Sequence, residues 1–347
     1  MRNGEHDSVV AYLNLEEGAV VPAPAAAPAP SRDSRGSGPA RTLLLGSSEH
    51  PVDRVPAVPG QPVVRGLIPG QVMAERYRVE RWLGSGGSAM VHEVTDLTTG
   101  THLALKVLAV PSADASQIAR FRQEVEHARL LDHPNIVRVY DVGVDGERHF
   151  LTTELLVGMD LKHRLMGPRP TLAESLRWLT HAAAALEHAH GRGVLHRDVK
   201  PGNLFLTKPG ILKLMDFGLA KSAHVAGVTT QGAVLGTPEY MAPEQISGAH
   251  PMSPASDLYS LGVVAYELFT GQLPFRHPQP VPLMFLHVQQ PPTPPRTLNP
   301  NLPEPFERMV LKLMQKHPEQ RYPSAAALRA DLARLWPLAL PPKATSR

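Results

Sequence analysis

Cysteine is absent from all 347 positions. Its absence excludes disulfide frameworks, thiolate zinc sites, Fe–S clusters and cysteine nucleophiles. A dominant charge is missing as well: 35 Lys and Arg face 32 Asp and Glu, leaving +3 at neutral pH. A chain so balanced announces no nucleic-acid surface, even with a pI near 9.2. Long apolar runs are also lacking. Spanning a bilayer takes about 18 residues or more, whereas Leu261–Phe269 is short and carries Glu267.

What the chain has in excess is proline, 36 residues, about twice the usual share of roughly 5%. Residues 1–70 hold ten of them, with nine Ala, eight Gly and Tyr12 as the one aromatic. Val20–Pro30 (VVPAPAAAPAP) reads as an extended polyproline-like linker, because proline blocks helix and there is little apolar bulk to bury. It is no signal peptide: Glu5, Asp7, Glu16 and Glu17 flank it, and prolines break the apolar run. The six arginines here are offset by seven acids, so the stretch makes no membrane anchor. We expect a disordered arm over 1–72 on a soluble, cytoplasmic protein with no nucleic-acid or membrane partner.

From Tyr77 the texture changes. Tyr77–Leu83, Met90–Thr95 and Leu103–Leu108 read as short strands, the last two joined by a tight turn at Asp96–Gly100. Ser116–Leu131 reads as a helix, with Ile118, Phe121, Val125 and Ala128 at helical spacing. Strands follow around Ile136–Val144 and Arg148–Glu154. Beyond Gly158 the pattern is mainly helical, at Thr171–Gly191, Asp257–Thr270, Glu304–Gln315 and Ser324–Leu335. A small strand-rich lobe over 73–157 and a larger helical lobe over 158–337, with a short tail at 338–347, make an α+β arrangement with a cleft between the lobes.

Three clusters carry chemistry. Leu83–Val91 (LGSGGSAMV) sets Gly84, Gly86 and Gly87 among Leu83, Ser85, Ser88, Ala89, Met90 and Val91. A dinucleotide-binding fold would enter a helix after such glycines. Here a second strand follows, which fits a flap of antiparallel sheet over a nucleotide. Lys106 stands alone in the apolar strand Leu103–Val107 and is costly to bury unless an anion meets it. It is either an edge lysine reaching solvent or a phosphate ligand steadied by a carboxylate, for which Glu124 is the available partner. The decisive segment is His196–Asn203 (HRDVKPGN), followed by Asp216–Gly218 (DFG). Asp198, Lys200, Asn203 and Asp216 bring two carboxylates, an amide and an ammonium within 19 residues. Such oxygen ligands suit Mg²⁺ and leave Asp198 to accept the proton of an attacking hydroxyl.

On these segments, and on His133–Val142 (HPNIVRVYDV), Gly236–Gln245 (GTPEYMAPEQ), Asp257–Gly262 (DLYSLG) and Arg321, the chain resembles the eukaryotic-type protein kinases. It is most similar to the bacterial serine/threonine kinases of that superfamily, over about residues 77–336. The resemblance implies the bilobal kinase fold and transfer of the γ-phosphoryl group of ATP, with Mg²⁺, to serine and threonine hydroxyls of proteins. It puts Lys106 on the α- and β-phosphates, paired with Glu124, beneath the loop Leu83–Val91. Asp198 becomes the catalytic base, Lys200 lies on the γ-phosphate, and Asn203 with Asp216 takes the metal. The hinge that hydrogen-bonds adenine is Glu154–Leu156, with Thr153 as a small gatekeeper. Glu244 pairs with Arg321, Asp257 braces the catalytic loop, and Thr237 hydrogen-bonds the base and Lys200. Arg197 meets a phosphate within Leu219–Met241, for which Thr229 and Thr230 are the candidates once Ser222 and Thr237 are set aside. Implied partners are protein substrates, a second copy acting in trans, and phosphothreonine-binding proteins. One position departs: Ala89 stands where the family has its third loop glycine, implying a stiffer loop.

Two rivals stand beside this reading, a pseudokinase scaffold and an adaptor whose arm recruits partners. The first usually lacks the strand lysine or one of the two aspartates; here Lys106, Asp198 and Asp216 are all present. Ser31–Ser48, with hydroxyls among arginines on a tether, is the stretch of the arm expected to be autophosphorylated. No HExxH accompanies the 17 histidines, and His188 and His190 point to different faces of one helix. Pro291–Pro295 reads as a crossing between helices, with an SH3-like partner as the alternative.

Overall fold

Two periods, one of 2 and one of 3.6 residues, divide the chain into a sheet-based and a helical lobe. The computed structural model describes residues 67–86, 89–108, 128–146, 148–217 and 237–340. In the first lobe β1 (Val72–Met73), β2 (Tyr77–Gly86), β3 (Ala89–Asp96), β4 (His102–Leu108), β5 (Val139–Asp145) and β6 (Arg148–Glu154) form one antiparallel sheet. Its order is β1-β2-β3-β4-β6-β5. Alternation along β4 sends Leu103, Leu105 and Val107 into an apolar cluster with Met73, Tyr77, Val79, Val94 and Phe150. Ala104 and Lys106 therefore share the opposite face. Register sets Val91 and Leu151 on either side of Lys106, and Thr153 beside Ala104. Lys106 thus stands on an internal strand, which removes the edge-lysine alternative.

The second lobe holds a small antiparallel sheet of β7 (Gly158–Asp160), β8 (Leu204–Thr207) and β9 (Leu212–Leu214). Its described helices are α1 (Leu161–Leu165), α2 (Leu172–His190), α3 (Pro243–Ser247), α4 (Pro254–Thr270), α5 (Pro280–Gln289), α6 (Pro295–Leu298), α7 (Glu304–Leu313) and α8 (Ala325–Ala339). A capping box starts α2: Thr171 Oγ1 accepts the N–H of Glu174 at 3.2 Å, and Glu174 accepts the N–H of Thr171 at 2.8 Å. The axis of the lobe is α4. Every residue from Ser256 to Thr270 is buried except Glu267, as expected of a helix apolar on nearly all sides. Even Glu267 has a partner, accepting the Tyr240 hydroxyl at 2.7 Å. Burial raises the pKa of both groups. Leu179 and Leu186 of α2, Phe306 and Leu313 of α7, and Leu328 and Leu332 of α8 join the same core. Gly262 lets α4 and α7 touch, since a Cβ there would lie 2.6 Å from Leu313 Cβ. No described helix is long and apolar enough to cross a membrane.

Proline has a second use in this lobe. Helices α3 to α7 each carry it in their first two positions, where the missing N–H costs nothing and φ is preset. The strands and helices expected from the sequence fall on β2 to β6, α2, α4, α7 and α8, with ends moved by a few residues. Of the expected helix Ser116–Leu131, the described part begins at Ala128. The elements beyond those expectations are β1, β7 to β9, α1, α3, α5 and α6. All but α5 are of five residues or fewer, too short to show a period.

Where the lobes join, Gly158 has φ +155°, and a Cβ on it would lie 2.1 Å from the Leu206 carbonyl oxygen. Gly158 pairs with Thr207 on β8, the strand leaving the candidate site. Gly158→Ala is expected to destabilise the fold by about 2–3 kcal/mol, seen as a lower urea midpoint. An unchanged midpoint would mean that β8 gives way freely.

Candidate active site

Residues 191–203, between α2 and β8, have no sheet or long helix to hold them, so polar contacts must. Asp257, in the first turn of α4, is their anchor. Its Oδ1 accepts the Arg197 N–H at 2.7 Å, and its Oδ2 accepts the His196 N–H at 2.9 Å and lies 2.8 Å from His190 Nε2. Burial works against ionisation of this carboxyl, but His190 and His196 hold its pKa below the usual range. The helix N-terminus favours the same charge. These bonds fix Arg197 at φ +66°, a left-handed backbone uncommon for a residue with a side chain. Gln245 Nε2 donates to the Arg197 carbonyl at 3.2 Å. The His196 ring continues the frame: Nε2 donates to the Met215 carbonyl at 2.8 Å, and Nδ1 accepts the Asp198 N–H at 3.2 Å. Burial lowers the His196 pKa and so keeps the neutral tautomer that both bonds require.

Asp198 is thereby presented at the centre of a polar cluster. Lys200 Nζ lies 3.2 Å from Asp198 Oδ2 and donates to Thr237 Oγ1 at 2.9 Å. Asn203 Nδ2 donates to the Asp198 carbonyl at 2.8 Å and to its Oδ2 at 3.0 Å. Across the cleft, Lys106 Nζ meets Asp216 Oδ2 at 2.8 Å, each side chain 15% exposed. Asp216 is also left-handed, at φ +63°. Two such residues in one cleft each store roughly 1–3 kcal/mol of backbone strain, which the surrounding bonds must hold. The pairing described for Lys106 is with Asp216, since Glu124 lies outside the described residues.

Between the sheet and this cluster runs an apolar slot. Leu83, Val91 and Ala104 from the first lobe, Leu156 from the connection, and Val137, Phe205 and Met215 form a cluster separate from both cores. Apolar walls contributed by both lobes suit a flat ring. Next to the slot residues Leu83 and Val91, Gly84 pairs with Val91, Ser85 with Met90 and Gly86 with Ala89, so the glycines at 84 and 86 lie in antiparallel strands rather than before a helix. Thr153 is buried. The Glu154 carboxylate accepts Lys213 Nζ at 2.7 Å and the Arg138 N–H at 2.9 Å. The Glu154 side chain is thus held on the structure, and the Glu154 N–H donates to the Arg138 carbonyl at 3.0 Å. Asn135 Nδ2 donates to the Leu212 carbonyl at 2.8 Å, tying the His133–Val142 segment to β9.

The structure thus gathers Asp198, Lys200, Asn203 and Thr237, sets Lys106 on Asp216, and lines the slot with Leu83, Val91 and Leu156. Glu244 and Arg321 stand apart as a fully buried bidentate pair, at 2.7 and 2.8 Å. The Tyr259 ring lies 4.9 Å from that guanidinium. Gly87, Ser88, Thr229 and Thr230 lie outside the described residues. Ala104, Phe205 and Met215, and the framing work of His190 and His196, go unmarked in the sequence reading. Alternation along β4 pointed to Ala104; β8 and β9 are too short to give Phe205 or Met215 a signal.

The protein kinase domain family matches residues 77–332. A probable serine/threonine-protein kinase of Clostridium acetobutylicum is 35% identical over 266 residues, 76% of this chain and 40% of that protein. The serine/threonine-protein kinases PknA and PknB of Mycobacterium tuberculosis are similar too. PknA is 39% identical over 287 residues, covering 79% of this chain and 66% of its own length. PknB is 38% identical over 271 residues, covering 76% and 43%. The chain therefore spans less than two thirds of the length of each of these relatives. Among solved structures, the kinase domain of Mycobacterium tuberculosis PknI matches with a TM-score of 0.63 and 28% identity, over 78% of this chain and 99% of that one.

Removing one partner of a buried ion pair leaves the other charge uncompensated, which costs about 3–5 kcal/mol. Glu244→Ala is expected to destabilise by that order, and a double variant replacing Glu244 and Arg321 by leucine by clearly less, as measured by urea denaturation. Burial opposes the Glu244 charge, yet Arg321 holds its pKa below the model-peptide value of 4.5. The pair's contribution is therefore complete at neutral pH and is lost as pH falls below about 4.5 through the lowered value. The gap between wild type and Glu244→Ala should close there.

Proposed function

The chain belongs to the protein kinase family, and we propose that it transfers the γ-phosphoryl group of ATP to serine and threonine hydroxyls of proteins. The observation that carries this reading is the cluster around Asp198, with Lys200 at 3.2 Å and Asn203 at 3.0 Å, facing the Lys106–Asp216 pair. The apolar slot takes the adenine, between Leu83, Val91 and Ala104 on one side and Phe205 and Met215 on the other. Lys106 turns its charge to the α- and β-phosphates and Lys200 to the γ-phosphate.

A carboxylate and an amide oxygen are hard ligands of the kind Mg²⁺ takes. Asn203 fits that part because its N–H₂ group is already spent on Asp198. Asn203 and Asp216 would hold the ion, which supplies neutralising charge for the phosphate oxygens. In the transfer, the substrate hydroxyl oxygen bonds to the γ-phosphorus and its proton passes to Asp198. The bond from that phosphorus to the bridging oxygen breaks, leaving ADP. Thr237 steadies Lys200 through the 2.9 Å bond, and Asp257 keeps the loop in register. The same activity, acting between copies, modifies Thr229 and Thr230, whose phosphates meet Arg197.

Asp198→Asn is expected to abolish transfer from labelled ATP while ATP with Mg²⁺ still raises the melting temperature. Near-normal turnover in that variant would remove Asp198 from the chemistry. For the second step, Thr229→Ala with Thr230→Ala should cost most of the activity, and phosphatase should inflict a similar loss on wild type only. Full activity in the double variant would show that the segment needs no phosphate.

A further inference from the structure

The two lobes are joined by residues 155–157, between β6 and β7. The β8–β9 hairpin of the second lobe grips that connection at both ends. At the end near β7, the Lys208 N–H donates to the Val157 carbonyl at 3.0 Å, and Gly158 pairs with Thr207. At the end near β6, Lys213 Nζ donates to Glu154 Oε1 at 2.7 Å. The first grip is made by backbone alone, whereas the second depends on one side chain.

Register explains how Lys213 comes to lie there. Leu212 and Leu214 of β9 belong to the main core, so alternation turns Lys213 to the other face. On that face its partner across the ladder is Phe205, a wall of the apolar slot. Backbone bonds bring the acid within reach. The Val137 N–H donates to the Leu214 carbonyl at 2.9 Å, the Leu214 N–H to the Asn135 carbonyl at 2.8 Å, and the Glu154 N–H to the Arg138 carbonyl at 3.0 Å. The Arg138 N–H, at 2.9 Å, shares Glu154 Oε1 with Lys213. The Lys213 and Glu154 side chains are 17% and 23% exposed, so salt screens the pair little.

Between the two grips stands Leu156, which lines the slot with Phe205 of the hairpin and Met215 just beyond it. The gap between connection and hairpin is therefore the width of the slot on this side. Resting on the adenine assignment above, we propose that Lys213 is a positioning residue for the nucleotide. Its bond to Glu154 holds Leu156 against the hairpin and keeps the slot at the width of a flat ring. Lys213 acts through Glu154 and takes no part in the chemistry. Its effect falls on binding rather than on transfer, because Asp198 is framed separately through Asp257.

The test compares the full chain with its Lys213→Met variant by titration calorimetry of ADP with Mg²⁺ and by steady-state transfer from ATP. The Kd for ADP and the KM for ATP are expected to rise about fivefold to tenfold, with kcat changed by less than about twofold. Lys213→Arg, which keeps the charge and the reach, should bind as wild type does. A double variant, Lys213→Met with Glu154→Gln, separates the tie from the charge it neutralises. Affinity as low as that of Lys213→Met supports the tie, and a return to the wild-type value overturns it. So does a Lys213→Met protein that binds ADP like wild type. Melting temperatures check folding; should Lys213→Met melt early, Glu154→Gln breaks the same bond from the other side and takes its place. Wild type that binds no ADP removes the adenine assignment together with this inference.

Discussion

One buried carboxylate governs the geometry of the site. Asp257 takes two consecutive backbone N–H groups and a histidine, and a polypeptide offers adjacent N–H groups to one acceptor only by leaving regular structure. The left-handed turn at Arg197 is the result, and it aims Asp198 into the cleft. Asp257 can do this because α4 is almost wholly buried and cannot shift without disturbing the core around it. Position is thus transmitted from apolar packing, through one carboxylate, to the residue assigned the chemistry.

The cleft shows the same division of labour on a larger scale. Its apolar slot draws on both lobes, so the lobes must approach to complete it. Its charged groups are paired within the cleft, Lys106 with Asp216 and Lys200 with Asp198. Charges held this way are already desolvated and oriented, which is the costly part of preparing a site for a polyanion. His196 links the two groups, touching Asp198 with one ring nitrogen and the Met215 carbonyl, next to Asp216, with the other. A neutral ring suits this place because a protonated one would have no acceptor nitrogen left for Asp198.

Much of this was legible in the sequence, for identifiable reasons. Lys106 betrayed itself as the one charge in an apolar strand, and the HRDVKPGN and DFG segments concentrate chemistry that turns rarely carry. Helix α2 was expected from the helical pattern over Thr171–Gly191, whereas the Thr171–Glu174 capping box that starts it is seen in the structure. What stayed hidden was set by tertiary contact. Phe205 and Met215 lie on or beside strands of three or four residues, where no period can be read. His190 was legible only as lying on a different face from His188; that this face meets Asp257, 67 positions on, follows from how α2 packs on α4. Thr153 and Glu154 were singled out through the resemblance, but the tether of the Glu154 carboxylate to Lys213 depends on β9 lying alongside.

Proline shows how one residue type carries opposite meanings. Its ring fixes φ and deletes a donor wherever it stands, so its effect depends on what the next residues can do. In 1–70 the sequence sets its prolines among alanine and glycine, the pattern expected of an extended linker. In the second lobe, at α4, α5 and α7, they are followed by apolar residues such as Leu, Val, Met and Phe at helical spacing, and there the fixed φ lowers the cost of the first turn. At 291–294 a third case arises: the run is too dense in proline to continue a helix, yet it is clamped by Tyr266 against α4. Proline is thus compatible with structure in this lobe because the neighbouring side chains have apolar surface to bury. There the same rigidity starts a helix or, as between α5 and α6, holds a connection in place.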